Sequence, residues 1–186
     1  MYPLLLFVGL GNPGPLYKKT RHNLGFRVID ILSKELGIKL KKDKDGSIGC
    51  GKIDDAQIFF AKPNCFMNKS GINVLSIYQR LKPNLFVLIY DDMDIEPGRI
   101  KIKKSGESAG HKGVSSVIFH LKTKEFPRIK VGIGKPKDQD PIDYVLGVPG
   151  KDERKLLDKG CQLAKNACIM ITKESLDRAM SEYNRS

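Results

Sequence analysis

The chain has 186 residues, 40% of them hydrophobic and 29% charged, and its 33 Lys and Arg against 21 Asp and Glu give a formal net charge of +12. Length favours one domain (residues 1–186) with a sizeable core, and an excess of positive charge on this scale points to a polyanionic partner, nucleic acid before a membrane surface. The four cysteines, Cys50, Cys65, Cys161 and Cys168, form no C-x-x-C pair, and no histidine stands at zinc-finger spacing. Cys161 and Cys168 lie a heptad apart on a predicted helix and read as small buried apolar residues, which suits a reducing compartment. The apolar opening is too short to span a bilayer and follows no charged leader, so a cytoplasmic protein without a membrane partner is expected.

Leu4 to Gly9 is continuously apolar and predicts a buried strand. It runs into Gly9-Leu10-Gly11-Asn12-Pro13-Gly14, then Tyr17 and Thr20-Arg21-His22-Asn23. Leu24, Val28, Ile31, Leu32 and Leu36 recur at helical spacing, and Gly37 is placed to cap that helix. Residues 39–44 read as a charged connection. Residues 48–53 and 57–62 flank Asp54-Asp55 and predict a β-hairpin. Ile72, Leu75, Tyr78 and Leu81 predict a helix closed by Pro83. Residues 85–90 predict a buried strand that delivers Asp91-Asp92 to its carboxyl end.

Further on, Ile100 and Ile102 alternate with Lys101 and Lys103, giving a half-exposed strand. Residues 105–113 form a second glycine-rich loop, followed by a helical face of Val114, Val117, Ile118 and Leu121. Arg128 and Lys130 alternate with Ile129 and Val131, so a strand with a basic outer face is expected, and residues 135–141 read as a loop. From Asp152, Leu156, Leu163 and Ala167 predict a long helix, broken near Thr172 and resumed through Leu176, Met180 and Tyr183. No repeat, low-complexity tract or interdomain linker interrupts the chain. Strands and helices alternate, so the expected fold is α/β: one twisted, mostly parallel or mixed sheet flanked by helices.

Two glycine motifs invite readings that their surroundings do not support. Residues 9–14 fit G-x-G-x-x-G, but Pro13 and Pro15 bracket the third glycine and the helix waits until Leu24, against a dinucleotide site. Gly106 to Gly110 fit G-x-S-x-G, but no acid lies between Ser108 and His120 and no histidine follows, so a serine triad cannot be completed in that order. Of the three histidines, His120 sits inside a helix and reads as structural, and His111 either shapes the second glycine loop or lines a site. His22 follows a strand-end loop and shares a sheet end with Asp91. An imidazole steered by a carboxylate is a base of fixed tautomer, with Asp92 and Asp94 as alternative partners. A metal held by His22, His111 and Asp91 finds no ligand pair at helical or turn spacing. Asn12 and Asn68 are either local caps or donors to a developing oxyanion. If the strands carrying Lys101 with Lys103 and Arg128 with Lys130 are neighbours, their basic faces form a stripe suited to phosphates.

Taken together, these segments resemble the bacterial peptidyl-tRNA hydrolases. The matching stretches are Val8 to Gly14 with Tyr17, Thr20 to Asn23, Lys62-Pro63, Phe66 to Gly71, Asp91 to Asp94 with Pro97-Gly98, Ala109 to Gly113, Val131 to Pro136, and Tyr144 to Gly147. The resemblance implies hydrolysis of the ester between a peptide and the 3′ ribose of tRNA, by a monomer needing no metal or cofactor. It implies His22 as catalytic base and Asp91 as its partner. It also implies Asn12 and Asn68 as positioning amides, Tyr17, Phe66 and Met67 as site lining, and Lys103 and Lys130 as contacts to tRNA phosphates. Lys112 stands where many members carry Asn, a cation in place of an amide, and it is placed with the substrate-binding residues. The alternatives are a non-catalytic RNA-binding protein on the same scaffold, or a nucleotide-dependent enzyme using the first glycine loop.

Overall fold

The computed structural model describes residues 3–185. In chain order the elements are β1 (Leu4–Gly9), α1 (Leu24–Glu35), β2 (Lys41–Asp43), β3 (Gly46–Ile53), β4 (Ala56–Pro63), α2 (Ser70–Leu81), β5 (Leu85–Asp92), β6 (Ile100–Lys103), α3 (Lys112–Leu121), β7 (Arg128–Gly132), α4 (Pro141–Leu146), α5 (Lys151–Lys173) and α6 (Leu176–Tyr183). Single 3-10 turns, Arg21–Asn23 and Met67–Lys69, precede α1 and α2. The seven strands form one mixed sheet in the order β2-β3-β4-β1-β5-β7-β6. The central pairings β4–β1, β1–β5 and β5–β7 are parallel, whereas β2–β3, β3–β4 and β6–β7 are antiparallel.

Alternation along each strand sends neighbouring side chains to opposite layers. Leu5, Phe7, Val87, Ile89, Ile129 and Val131 join the core that includes residues of α1 and α5, while Leu6, Val8, Leu88 and Tyr90 face the core built with α2 and α3. With both faces covered, β1 and β5 can be continuously apolar. Gly9 is required by packing: a Cβ there would lie 2.1 Å from the Gly25 carbonyl oxygen, because α1 crosses the strand end in backbone contact. That approach, together with the late start of α1 at Leu24, accounts for the first glycine without any dinucleotide.

Four expectations need correction. Residues 39–44 are not purely a connection: Lys41–Asp43 pairs with β3 as an edge strand. Residues 141–146, beyond the expected loop, form the short helix α4, capped by the Asp140 side chain with Pro141 in its first turn. The inner stripe of α5 runs through Leu157, Cys161, Ala164, Cys168 and Ile171, leaving Leu156 47% exposed, since one residue of slip rotates a helix face by about 100°.

The fourth correction concerns β7, whose basic face is not outward. Arg128 is 0% exposed, and its guanidinium donates to the carbonyls of Phe126, Glu107 and Lys124. Lys130 is half-buried and paired with Asp92. β7 lies between β5 and β6, with Arg128 opposite Leu88, so this face is roofed rather than solvated. The basic stripe therefore reduces to Lys101 and Lys103 on the edge strand β6.

The two α5 cysteines are buried as expected, and burial pushes the Cys161 thiol up to about 12 and raises Cys168 as well. A chromogenic disulfide reagent should therefore label exposed Cys50 first and half-buried Cys65 more slowly. Cys161 and Cys168 should react only after denaturation. Prompt reaction of all four thiols in the native protein would contradict the burial of the inner face of α5.

Candidate active site

The site forms where β1 and β5, neighbours in the sheet, release their loops at their carboxyl ends. After β1 the chain makes a glycine-proline turn, with Gly14 at φ +103°, and returns through the 3-10 turn that carries His22. The carboxyl end of β5 holds Asp91, 2% exposed. The His22 Nδ1 lies 3.0 and 2.9 Å from the two Asp91 carboxylate oxygens. Among the three acids weighed for this role, Asp91 is the partner. Asp92 instead receives Lys130 at 2.6 Å and the Asp94 backbone N–H, and Asp94 pairs with Lys135 at 2.8 Å.

His111 completes the group. Its Nδ1 accepts the Val114 backbone N–H at 3.3 Å, capping α3, so in the neutral ring Nε2 carries the proton and donates to Asp91 Oδ1 at 3.2 Å. Asp91 thus accepts from two imidazoles, whose rings sit 4.8 Å apart. Burial opposes charge on Asp91, but the positive fields and hydrogen bonds of both histidines prevail and hold its carboxyl well below the ordinary range. Burial likewise opposes the His22 imidazolium, but Asp91's charge and hydrogen bond outweigh it. The His22 pKa is raised above the usual 6.5, while Lys112 pulls it down.

The three donor atoms of His22, Asp91 and His111 lie within 4.8 Å of one another, close enough to consider as metal ligands. The cap on α3 argues for a different use. His111 could offer Nε2 to a cation only by moving its proton to Nδ1, where the Val114 N–H already points. The cluster as built is a chain of hydrogen bonds.

Asn12 is held from both sides. The Asn23 side chain clamps its backbone, accepting from Asn12 N at 2.8 Å and donating to Asn12 O at 2.9 Å. The Asn12 Oδ1 accepts the Met67 N–H at 2.7 Å, which leaves its NH₂ as the free end. A cleft of about 450 Å³ opens here, with Asn12, His22, Asn68 and Lys112 on its wall. Met67, though largely buried, also lines it, and Tyr17 meets the exposed Phe66 edge to face with ring centroids 6.1 Å apart. Lys112 begins α3 and pairs with no carboxylate among the described residues. Of the residues expected in the site, Lys103 and Lys130 lie outside this cleft. Lys103 is exposed on β6, and the Lys130 side chain, 11% exposed, is committed to Asp92.

Three contributors went unassigned in the sequence: His111, Asn23 and Arg21. Arg21 is nearly buried and forms a fork with Glu153 at 2.6 and 2.7 Å, donates to the Tyr144 carbonyl at 3.0 Å and stacks 4.1 Å from the Tyr144 ring. It ties the His22 turn to α4 and α5. Arg21→Met should lower stability by about 2–3 kcal/mol, read as the midpoint of urea unfolding, because it strands Glu153 and the Tyr144 carbonyl. An unchanged midpoint would show that the fork carries no structural load.

Fold and site together define a basic α/β protein with a histidine paired to a buried carboxylate at an open cleft. The sequence matches the profile of the family described as "Peptidyl-tRNA hydrolase" over residues 6–186. It is 42% identical to the peptidyl-tRNA hydrolase of Clostridium botulinum strain Hall, covering 97% of each chain. It is 41% identical to that of Caldanaerobacter subterraneus, covering 97% of this chain and 100% of the other. The crystal structure of peptidyl-tRNA hydrolase from Acinetobacter baumannii superposes with a TM-score of 0.92 at 32% identity, covering 99% and 96% of the two chains. The chain belongs to the peptidyl-tRNA hydrolase family, a family of enzymes.

Proposed function

We propose that this protein hydrolyses the ester joining a peptide to the 3′ ribose of tRNA, with water activated by His22 and no covalent intermediate. The observation that carries this reading is the His22–Asp91 pair at the cleft. Nδ1 faces the carboxylate, and Nε2 has no protein partner among the described residues. Neutral His22 then holds its proton on Nδ1 and presents a lone pair at Nε2.

Water attacks the ester carbonyl carbon and gives its proton to Nε2. The imidazolium so formed is stabilised by Asp91, itself fixed by His111. The free NH₂ of Asn12 and the Asn68 amide donate to the carbonyl oxygen or the adjoining peptide backbone, and Lys112 adds positive charge beside the developing oxyanion. When the tetrahedral species collapses, the bond to the ribose 3′ oxygen breaks and the imidazolium returns its proton to that oxygen. An ester with a ribose leaving group is labile enough for this apparatus, which offers no serine triad.

Tyr17 and Phe66 give the peptide an apolar edge. Lys103, with Lys101 beside it, is free to take tRNA phosphates, and Lys130 can join only by exchanging its partner Asp92. The protein is expected to act as a cytoplasmic monomer. Among the described residues, no helix is long and apolar enough to cross a membrane.

Incubation with a peptidyl-tRNA carrying labelled peptide tests the reading. Release of peptide and intact tRNA over many turnovers is expected. Tight binding of the RNA with no released peptide would replace the enzyme by an RNA-binding protein on the same scaffold.

A further inference from the structure

A second cleft, of about 550 Å³, lies across the glycine loop from the catalytic one and shares Asn12 with it. Five basic side chains, Lys18, Lys19, Arg27, Lys62 and Arg154, stand on its wall with one acid, Asp30. Asp30 is taken by Lys62, and Arg27 is taken by Asp158. Lys18, Lys19 and Arg154 have no carboxylate partner among the described residues. Unneutralised cations on a concave wall concentrate positive potential in the space they enclose.

Strand order fixes what this cleft faces. Its far wall comes from Ser47 on β3 and Lys62 on β4, the catalytic pair sits over β1 and β5, and exposed Lys101 and Lys103 line the opposite edge on β6. A substrate whose RNA lies along the β6 edge places its ester at His22 and sends its acyl part towards β4. β4 lies one strand spacing from β1 and two from β5, about 5 to 10 Å from the catalytic pair, a distance that two or three extended residues cover. We infer that the cationic cleft beyond Asn12 receives an acidic side chain of the peptide, two or three residues upstream of the ester, and so biases the enzyme among its substrates. The inference rests on the proposed ester hydrolysis and adds a charge preference to it.

The test uses three peptidyl-tRNAs with the same tRNA and the same C-terminal residue, differing only in Glu, Gln or Lys at that upstream position. The Glu substrate should exceed the Lys substrate by about tenfold in kcat/KM, mostly through KM, and high salt should shrink the ratio. In Lys18→Glu/Lys19→Glu the ratio should fall to one or invert. Arg154→Gln, an independent change on the other wall, should lower it in the same direction. Equal turnover of all three substrates by the wild type would overturn the inference and leave ester hydrolysis standing. An unchanged ratio, with all three rates lowered together and a shallower salt dependence, would assign the cleft to RNA phosphates and also overturn it. If no substrate is cleaved, the proposed function falls and the inference with it.

Discussion

His22→Ala should slow peptide release by roughly 10³-fold, the scale set by loss of a general base, while affinity for tRNA stays at the wild-type level. The separation is expected because His22 is buried at the cleft and reaches only Asp91, whereas the free lysines that suit phosphates lie elsewhere. Filter binding of deacylated tRNA, run beside single-turnover release, measures both quantities. Loss of binding in step with activity would make His22 a structural residue and remove the base from the mechanism.

Asp91→Asn should be nearly as damaging, by roughly 10²-fold or more, although it changes a single atom. His111 can offer Asp91 only its Nε2–H, because its Nδ1 is occupied by the cap on α3. In the variant that N–H holds the amide oxygen, so the amide NH₂ turns to His22 Nδ1. There it demands an acceptor and drives the proton to Nε2. The variant then presents N–H where the mechanism needs a lone pair.

The pH dependence follows with a definite sign. His22 acts when neutral, so wild-type kcat/KM should fall as pH drops through its raised pKa. Removing the Asp91 charge and hydrogen bond lowers that pKa, so the acid limb of Asp91→Asn should move to lower pH. Removing the opposing cation in Lys112→Met should move the limb to higher pH. Limbs that coincide in all three proteins would detach the profile from His22.

Much of this was legible in the residues because local patterns carried it. Continuous apolar runs marked β1 and β5, and helical spacing marked α1, α2 and α5. His22 and Asp91, at neighbouring strand ends, come together as that geometry allows. What escaped depends on what covers a surface. Period-two alternation put Arg128 and Lys130 on one face of β7, but only the finished fold roofs that face and turns Arg128 into a clamp on three carbonyls. Lys130 likewise gains its partner only when β5 lies beside β7. The sequence leaves His111 between two roles because both hold. Its Nδ1 shapes the loop, and through that bond its Nε2 is committed to the site. Arg21 carried no local signal, since Glu153 stands 132 residues away in the chain.

Base catalysis by His22 requires a particular ring nitrogen to carry the proton in the resting enzyme. Long-range proton–nitrogen spectra of ring-labelled protein, recorded above the titration of His22, read this directly. The shifts should report a protonated Nδ1 and a bare Nε2 in the wild type, and the reverse in Asp91→Asn. A protonated Nε2 in the wild type would leave the ester without its base and contradict the mechanism.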